Sequence, residues 1–132
     1  MTDCLFCKIV KGEIPSYKIY EDEKTYAFLD IAEDFYGHTL VVPKKHCRNL
    51  LDAEKDDLQA VMLAVQKIAK HYKASGFDGV NILISNEPAA EQCVFHLHVH
   101  IIPRKDGENQ KLFSFEKKDF DLNEIWQKLK MQ

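Results

Sequence analysis

Residues 94–103 read Val-Phe-His-Leu-His-Val-His-Ile-Ile-Pro, with a histidine at every second position from 96 to 100. A helix would scatter such residues, whereas a strand puts i, i+2 and i+4 on one face. The β-branched and aromatic neighbours favour the strand. His96, His98 and His100 then form one row, spaced about 6.6–6.8 Å apart. Phe95, Leu97, Val99 and Ile101 are expected on the opposite face, and Pro103 is expected to end the strand. Packing does not select three imidazoles in register, because His is only intermediate in burial. The row points to a nucleophile, a proton carrier or metal ligands working near neutral pH. A mononuclear metal site on two of the three is the rival reading.

The rest of the chain supplies a fold for that strand. Residues 4–12 read as a short helix ending near Gly12. Lys18–Glu21, Thr25–Leu29, His38–Pro43 and Val80–Ser85 read as strands. A long helix is expected from about Ala53 to Ala74, with Leu58, Val61, Met62, Val65, Ile68, Ala69 and Tyr72 in one apolar stripe. Asp52 is its expected N-cap and Gly76 its stop. Asp121 with Glu124 resembles a capping box before a short C-terminal helix, with Trp126 expected to anchor that helix to the core. Hairpin-length links and one helical crossover predict an α+β fold: an antiparallel sheet of about five strands, one long helix and a short C-terminal helix. With 132 residues and no linker-like tract, one domain over 1–132 is expected.

The net charge of −3 argues against general nucleic-acid binding, which wants a basic footprint. Lys44, Lys45, Arg104 and Lys105 are candidates for local positive charge near a small anion, each more simply a solvated surface residue. No apolar run has the length to span a bilayer. The N-terminal residues do not read as a secretion signal, so a cytoplasmic location is expected. Of the cysteines at 4, 7, 47 and 93, the Cys4-x-x-Cys7 pair has the spacing of a metal half-site or a redox pair. A redox reading wants that pair between a strand and a helix. A zinc reading needs two further ligands.

A neutral imidazole can attack phosphorus and split one displacement into two through a phosphohistidine. The middle histidine is best placed for it. Neither a Gly-x-Ser-x-Gly elbow nor a Walker loop is present, and five glycines leave no Gly-rich phosphate cradle.

His96-Leu97-His98-Val99-His100-Ile101-Ile102 resembles the signature of the histidine-triad (HIT) superfamily. Phe6-Cys7-Lys8-Ile9, Ile14-Pro15, Ala27-Phe28-Leu29-Asp30-Ile31, Gly37 to His46 and Asn86-Glu87 follow the family order. The likeness is to zinc-containing, bacterial-type members of the nucleoside phosphoramidase (Hint-like) branch. It implies a HIT-like α+β fold and a homodimer whose sheets join. It also implies a purine nucleotide or nucleotide conjugate as ligand. By position, His98 matches the nucleophile and His100 the residue supporting the leaving group. Asp30 matches the ribose-binding carboxylate, and Phe6, Ile9, Phe28 and Ile31 the purine slot. Asn86, Gln92 and Cys93 fall among the nucleotide contacts, and His38 matches a supporting histidine. Cys4, Cys7, His46 and His96 resemble a structural zinc site, with Cys47 as a competing ligand. Glu91-Gln92-Cys93 departs from the usual Gly-Gln-Ser or Gly-Gln-Thr. Glu91 adds negative charge, and the Cys93 thiol is a weaker donor than a hydroxyl. The implied activity is nucleoside phosphoramidate hydrolysis. The alternatives are a dinucleoside polyphosphate hydrolase, a low-turnover nucleotide-binding regulator and, last, a zinc-catalysed hydrolase using the triad as ligands.

Overall fold

The computed structural model describes residues 3–131 and is α+β. Helix α1 spans Leu5–Val10, β1 Lys18–Glu21, β2 Thr25–Leu29, β3 Thr39–Pro43 and α2 Lys55–Ala74. Strands β4 (Gly79–Leu83) and β5 (Val99–Arg104) follow, then α3 (Leu122–Leu129). The five strands form one antiparallel sheet in the order β1-β2-β3-β5-β4.

Each central strand sends alternate residues into two different cores. Ala27, Val41, Val99 and Ile101 meet Val61, Ala64, Val65, Ile68 and Tyr72 of α2 on one face. Tyr26, Phe28, Leu40 and Val42 meet Phe6 and Ile9 of α1 on the other. Burial on both faces explains why β2 and β3 read as apolar runs rather than clean alternations.

Several expected details shift. The helix stripe includes Ala64 but leaves Met62 exposed. Asp52 does not cap α2. Its carboxylate accepts from the Arg48 and Asn49 backbone N–H groups, and the helix starts after Glu54 without a side-chain cap. Asp121 does cap α3, accepting from the Asn123 and Glu124 N–H groups. Trp126 is no anchor: it is 58% exposed and α3 buries no residue.

The histidine strand also begins later than its alternation predicts. Only His100 lies in the β5 ladder. The register pairs Val41 with Val99, so Leu97 would continue it opposite Pro43. Pro43 has no N–H to give, and its carbonyl already accepts from His96 Nε2 at 2.8 Å. Leu97 N–H donates instead to the Cys47 carbonyl. The alternation survives, with Leu97 buried, but Phe95 leaves the core and lies under the Arg48 guanidinium, 4.3 Å from its ring centre. Pro103 does not stop the strand either. It pairs with Val80 beyond the end of β3, beside Gly37, where a Cβ would sit 3.0 Å from the Pro103 ring. Gly37 also has φ +77°, which only glycine adopts at little cost.

Candidate active site and metal cluster

Helix α1 crosses the sheet face that carries His98 and His100, and a cavity of about 350 Å³ opens between them. Phe6, Ile9 and Phe28 form its apolar wall, with the Phe6 and Phe28 rings edge to face at 5.5 Å. Ile31 stands at the rim, 79% exposed. Asp30, His98 and His100 supply its polar side. A slot with apolar walls and polar groups on one side suits a flat ring joined to a polar moiety.

His98 is held in one tautomer. Its Nδ1–H donates to the His96 carbonyl at 2.7 Å, which leaves Nε2 with a free lone pair. Burial pushes its pKa below the ordinary histidine value, against the opposing pull of that hydrogen bond and of Asp30. The ring is therefore neutral and nucleophilic at pH 7. His100 is pushed down to about 4, by burial first and then by the charges of His98 and His38.

Asp30 closes β2. One carboxylate oxygen accepts from the Ala32 N–H, and the other lies 3.7 Å from His38 Nδ1. Buried His38 bridges two partners: its Nδ1–H donates to Asp34 at 2.8 Å, and its Nε2 lies 2.8 Å from His100 Nδ1. The sequence motif did not single out Asp34. An acidic residue four positions before His38 was the one signal for it.

Cys4 is the N-cap of α1 and Cys7 lies in its first turn, so the two sulfurs sit together. Cys4 Sγ is 3.3 Å from His96 Nδ1, Cys7 Sγ is 3.4 Å from His46 Nδ1, and the two Nδ1 atoms are 3.2 Å apart. All four ligand atoms lie within 4.8 Å of one another. Four vertices of a zinc tetrahedron, with bonds of about 2.0–2.3 Å, stand roughly 3.3–3.8 Å apart, so the spacing fits. The tautomer fits as well: His96 Nε2–H donates to the Pro43 carbonyl, leaving Nδ1 to ligate. Burial and the adjacent Cys4 push the Cys7 thiol up. Cys47 lies outside this group.

Other expected contacts are placed differently. Gln92 is buried and spends its amide on the loop: Oε1 accepts from Asn49 and the Glu87 N–H, and Nε2 donates to the Arg48 and Val94 carbonyls. It does not line the cavity. Asn86 accepts from the Leu50 N–H and does not line it either. Cys93 and Glu91 do. Glu91 has φ +69°, a left-handed conformation costing about 1 kcal/mol for a residue with a Cβ. Arg48 and Asn49, absent from the motif, form with Glu87 the polar brace under this loop. The basic candidates sit elsewhere: Lys44 pairs with Glu21, Lys45 with Glu54 and Arg104 with Glu108, while Lys105 donates to the Gly76 carbonyl. No helix among the described residues is long and apolar enough to cross a membrane.

Residues 11–107 match the HIT domain. An uncharacterised HIT-like protein of Methanocaldococcus jannaschii is 45% identical over 127 residues, 96% of this chain and 98% of its own. The adenosine 5'-monophosphoramidase of Candida albicans is 40% identical over 135 residues, 96% of this chain and 89% of its own. A zinc-bound histidine triad family protein from Mycobacterium smegmatis superposes with a TM-score of 0.80 at 38% identity, covering 93% of this chain and 87% of its own. The matched domain, these relatives and the shared fold place the chain in the HIT family.

Proposed function

We propose that this chain is a nucleoside phosphoramidase, a single HIT domain over 1–132 acting at the α-phosphate of a purine nucleotide conjugate. The observation that carries the reading is buried, neutral His98, with its free Nε2 beside an apolar slot. Nε2 attacks the α-phosphorus, and the bond to the leaving amine breaks as a nucleotidyl-histidine forms. His100 gives a proton to the departing nitrogen. Water then attacks the phosphorus, releasing the nucleotide and restoring His98. Asp30 takes the ribose hydroxyls, while Phe6, Ile9, Phe28 and Ile31 hold the purine. Cys93 contacts the phosphate from the cavity wall. Asn86 and Gln92 act on the nucleotide by shaping the loop rather than by touching it, and His38 supports His100.

Cys4, Cys7, His46 and His96 would hold a structural zinc, which supplies a rigid joint between α1 and the start of the histidine segment. A homodimer is the proposed assembly: β4 is an edge strand, and Ile82 and Leu63 are exposed. The proposed setting is cytoplasmic. One observation favours a second reading, a nucleotide binder with low turnover: Glu91, an acidic residue, lines the cavity alongside Cys93, His98 and His100.

Mass spectrometry after brief reaction with adenosine 5'-phosphoramidate separates the two. The phosphoramidase reading expects a nucleotidyl adduct on His98, and a His98→Ala protein that binds nucleotide but has lost at least about 10³-fold in turnover. Binding without adduct or turnover favours the regulator.

A further inference from the structure

His38 is the only buried side chain in contact with both His100 and a carboxylate among the described hydrogen bonds. The carboxylate is that of Asp34, which is itself aimed. Its Oδ1 also accepts from the Phe35 N–H at 2.8 Å, and its backbone carbonyl accepts from Gln110 Nε2 at 2.8 Å. We propose that Asp34 is a positioning residue for the proton delivered to the leaving group, acting through His38 and His100, a role that rests on the phosphoramidase reading above.

Hydrogen-bond polarity makes the chain directional. Asp34 can only accept, so His38 Nδ1 must donate, and the state of the pair is decided at the contact between His38 Nε2 and His100 Nδ1. The arrangement that can deliver a proton is the one in which His38 Nε2–H donates to His100 Nδ1. His100 then carries its own proton on Nε2. As the bond from phosphorus to nitrogen breaks, that Nε2 proton passes to the amine. His100 Nδ1 takes the proton of His38 Nε2 in its place. The amine gains one proton and His38 loses one charge, so the transfer balances. Asp34 stabilises the cation before transfer and fixes the ring that hands the proton on.

Other charged or titratable groups face this pair. Asp30 Oδ2 lies 3.7 Å from His38 Nδ1, and the His98 ring centre lies 5.0 Å from that of His100. In the proposed complex Asp30 is engaged by the ribose hydroxyls. That leaves Asp34 as the carboxylate devoted to His38. Its side chain is 47% exposed, so its effect on the proton is moderated by water. Charge and hydrogen bonding from His38 hold the Asp34 carboxyl below its ordinary value despite the upward pull of burial.

The test uses two substrates of the whole protein: adenosine 5'-phosphoramidate, whose amine must be protonated to leave, and the p-nitrophenyl ester of adenosine 5'-phosphate, whose phenolate leaves unaided. Asp34→Asn keeps an acceptor for His38 but removes the charge. It is expected to lower kcat on the phosphoramidate by about tenfold, a fraction of the ~10²–10⁴-fold worth of general-acid catalysis. KM is expected to hold, and the alkaline limb of the kcat profile to move to lower pH, because the protonated pair loses its anion. The ester is expected to react within about twofold of wild type. Asp34→Glu recovers part of the lost rate. Equal slowing of both substrates, or an unmoved pH limb, overturns the positioning role while leaving the nucleophile intact. Failure of the wild type on both substrates overturns the phosphoramidase reading, and the positioning role with it.

Discussion

His100 is kept neutral by its surroundings, and that has a consequence for stability. Its pKa is about 4 in the folded protein against an ordinary 6.5, with burial the leading cause. Between those values the unfolded chain binds a proton that the folded chain does not. This contribution to stability is therefore complete above pH 6.5 and is lost as the pH falls toward 4, by up to about 1.4 kcal/mol per pH unit. Urea unfolding at several pH values checks it. The dependence between pH 6.5 and 4 should flatten in His100→Asn relative to wild type, and parallel curves would rule it out. The residues around His100 differ in how legible they were. The triad was visible because alternation alone puts three histidines on one face. Asp34 was not, because its partner is set by a turn that brings position 34 back onto the ring of His38. Gln92 shows the opposite case: the motif suggests a ligand contact, but the fold surrounds its amide with four protein partners.

Among the elements, α1 is short, and six residues make few internal hydrogen bonds. Phe6 and Ile9 hold one side of it, and the Cys4–Cys7 turn holds its start against His46 and His96. With zinc in that tetrahedron, the metal stabilises the folded state by as much as it binds. The purified protein is therefore expected to carry about one zinc per chain for one four-ligand site. Chelation should lower Tm by several degrees, and hydrogen exchange should show α1 and residues 94–98 losing protection before α2. Full retention of Tm after metal is stripped would remove the structural role. The strands were legible because β1 and β2 are short runs bounded by turn residues, and the observed limits match those expected. The start of β5 was not, because it depends on Pro43 in another strand having no N–H to offer. The cap of α2 was missed for a similar reason: Asp52 finds two backbone donors in the loop before the helix can use it.

For the whole molecule, the sheet has an open edge. Strand β4 pairs only with β5, and Ile82 on it is exposed with Leu63 of α2. An edge strand with exposed apolar side chains is a template for pairing with another chain. The proposed homodimer is expected to use it. Light scattering should return twice the chain mass, and Ile82→Asp should move the species toward monomer. A monomer at the highest concentrations tested would exclude the dimer. The C-terminal helix is part of the same problem. Trp126 was expected against the core, but the α2 stripe and α1 already cover the two sheet faces, and α3 is left exposed.

Sequence alone determined which residues share a face, because strand and helix periods are local properties of the backbone. It thereby determined the α+β class and the triad row, while the family resemblance implied the set Cys4, Cys7, His46 and His96 as a group to be tested. Tertiary structure alone decided what each of those side chains meets. It closed four ligand atoms to within 4.8 Å, turned His98 Nδ1 onto a carbonyl, and brought Asp34 to His38. Those outcomes depend on approach between segments tens of residues apart, where distance and hydrogen-bond direction are set by packing and not by sequence period.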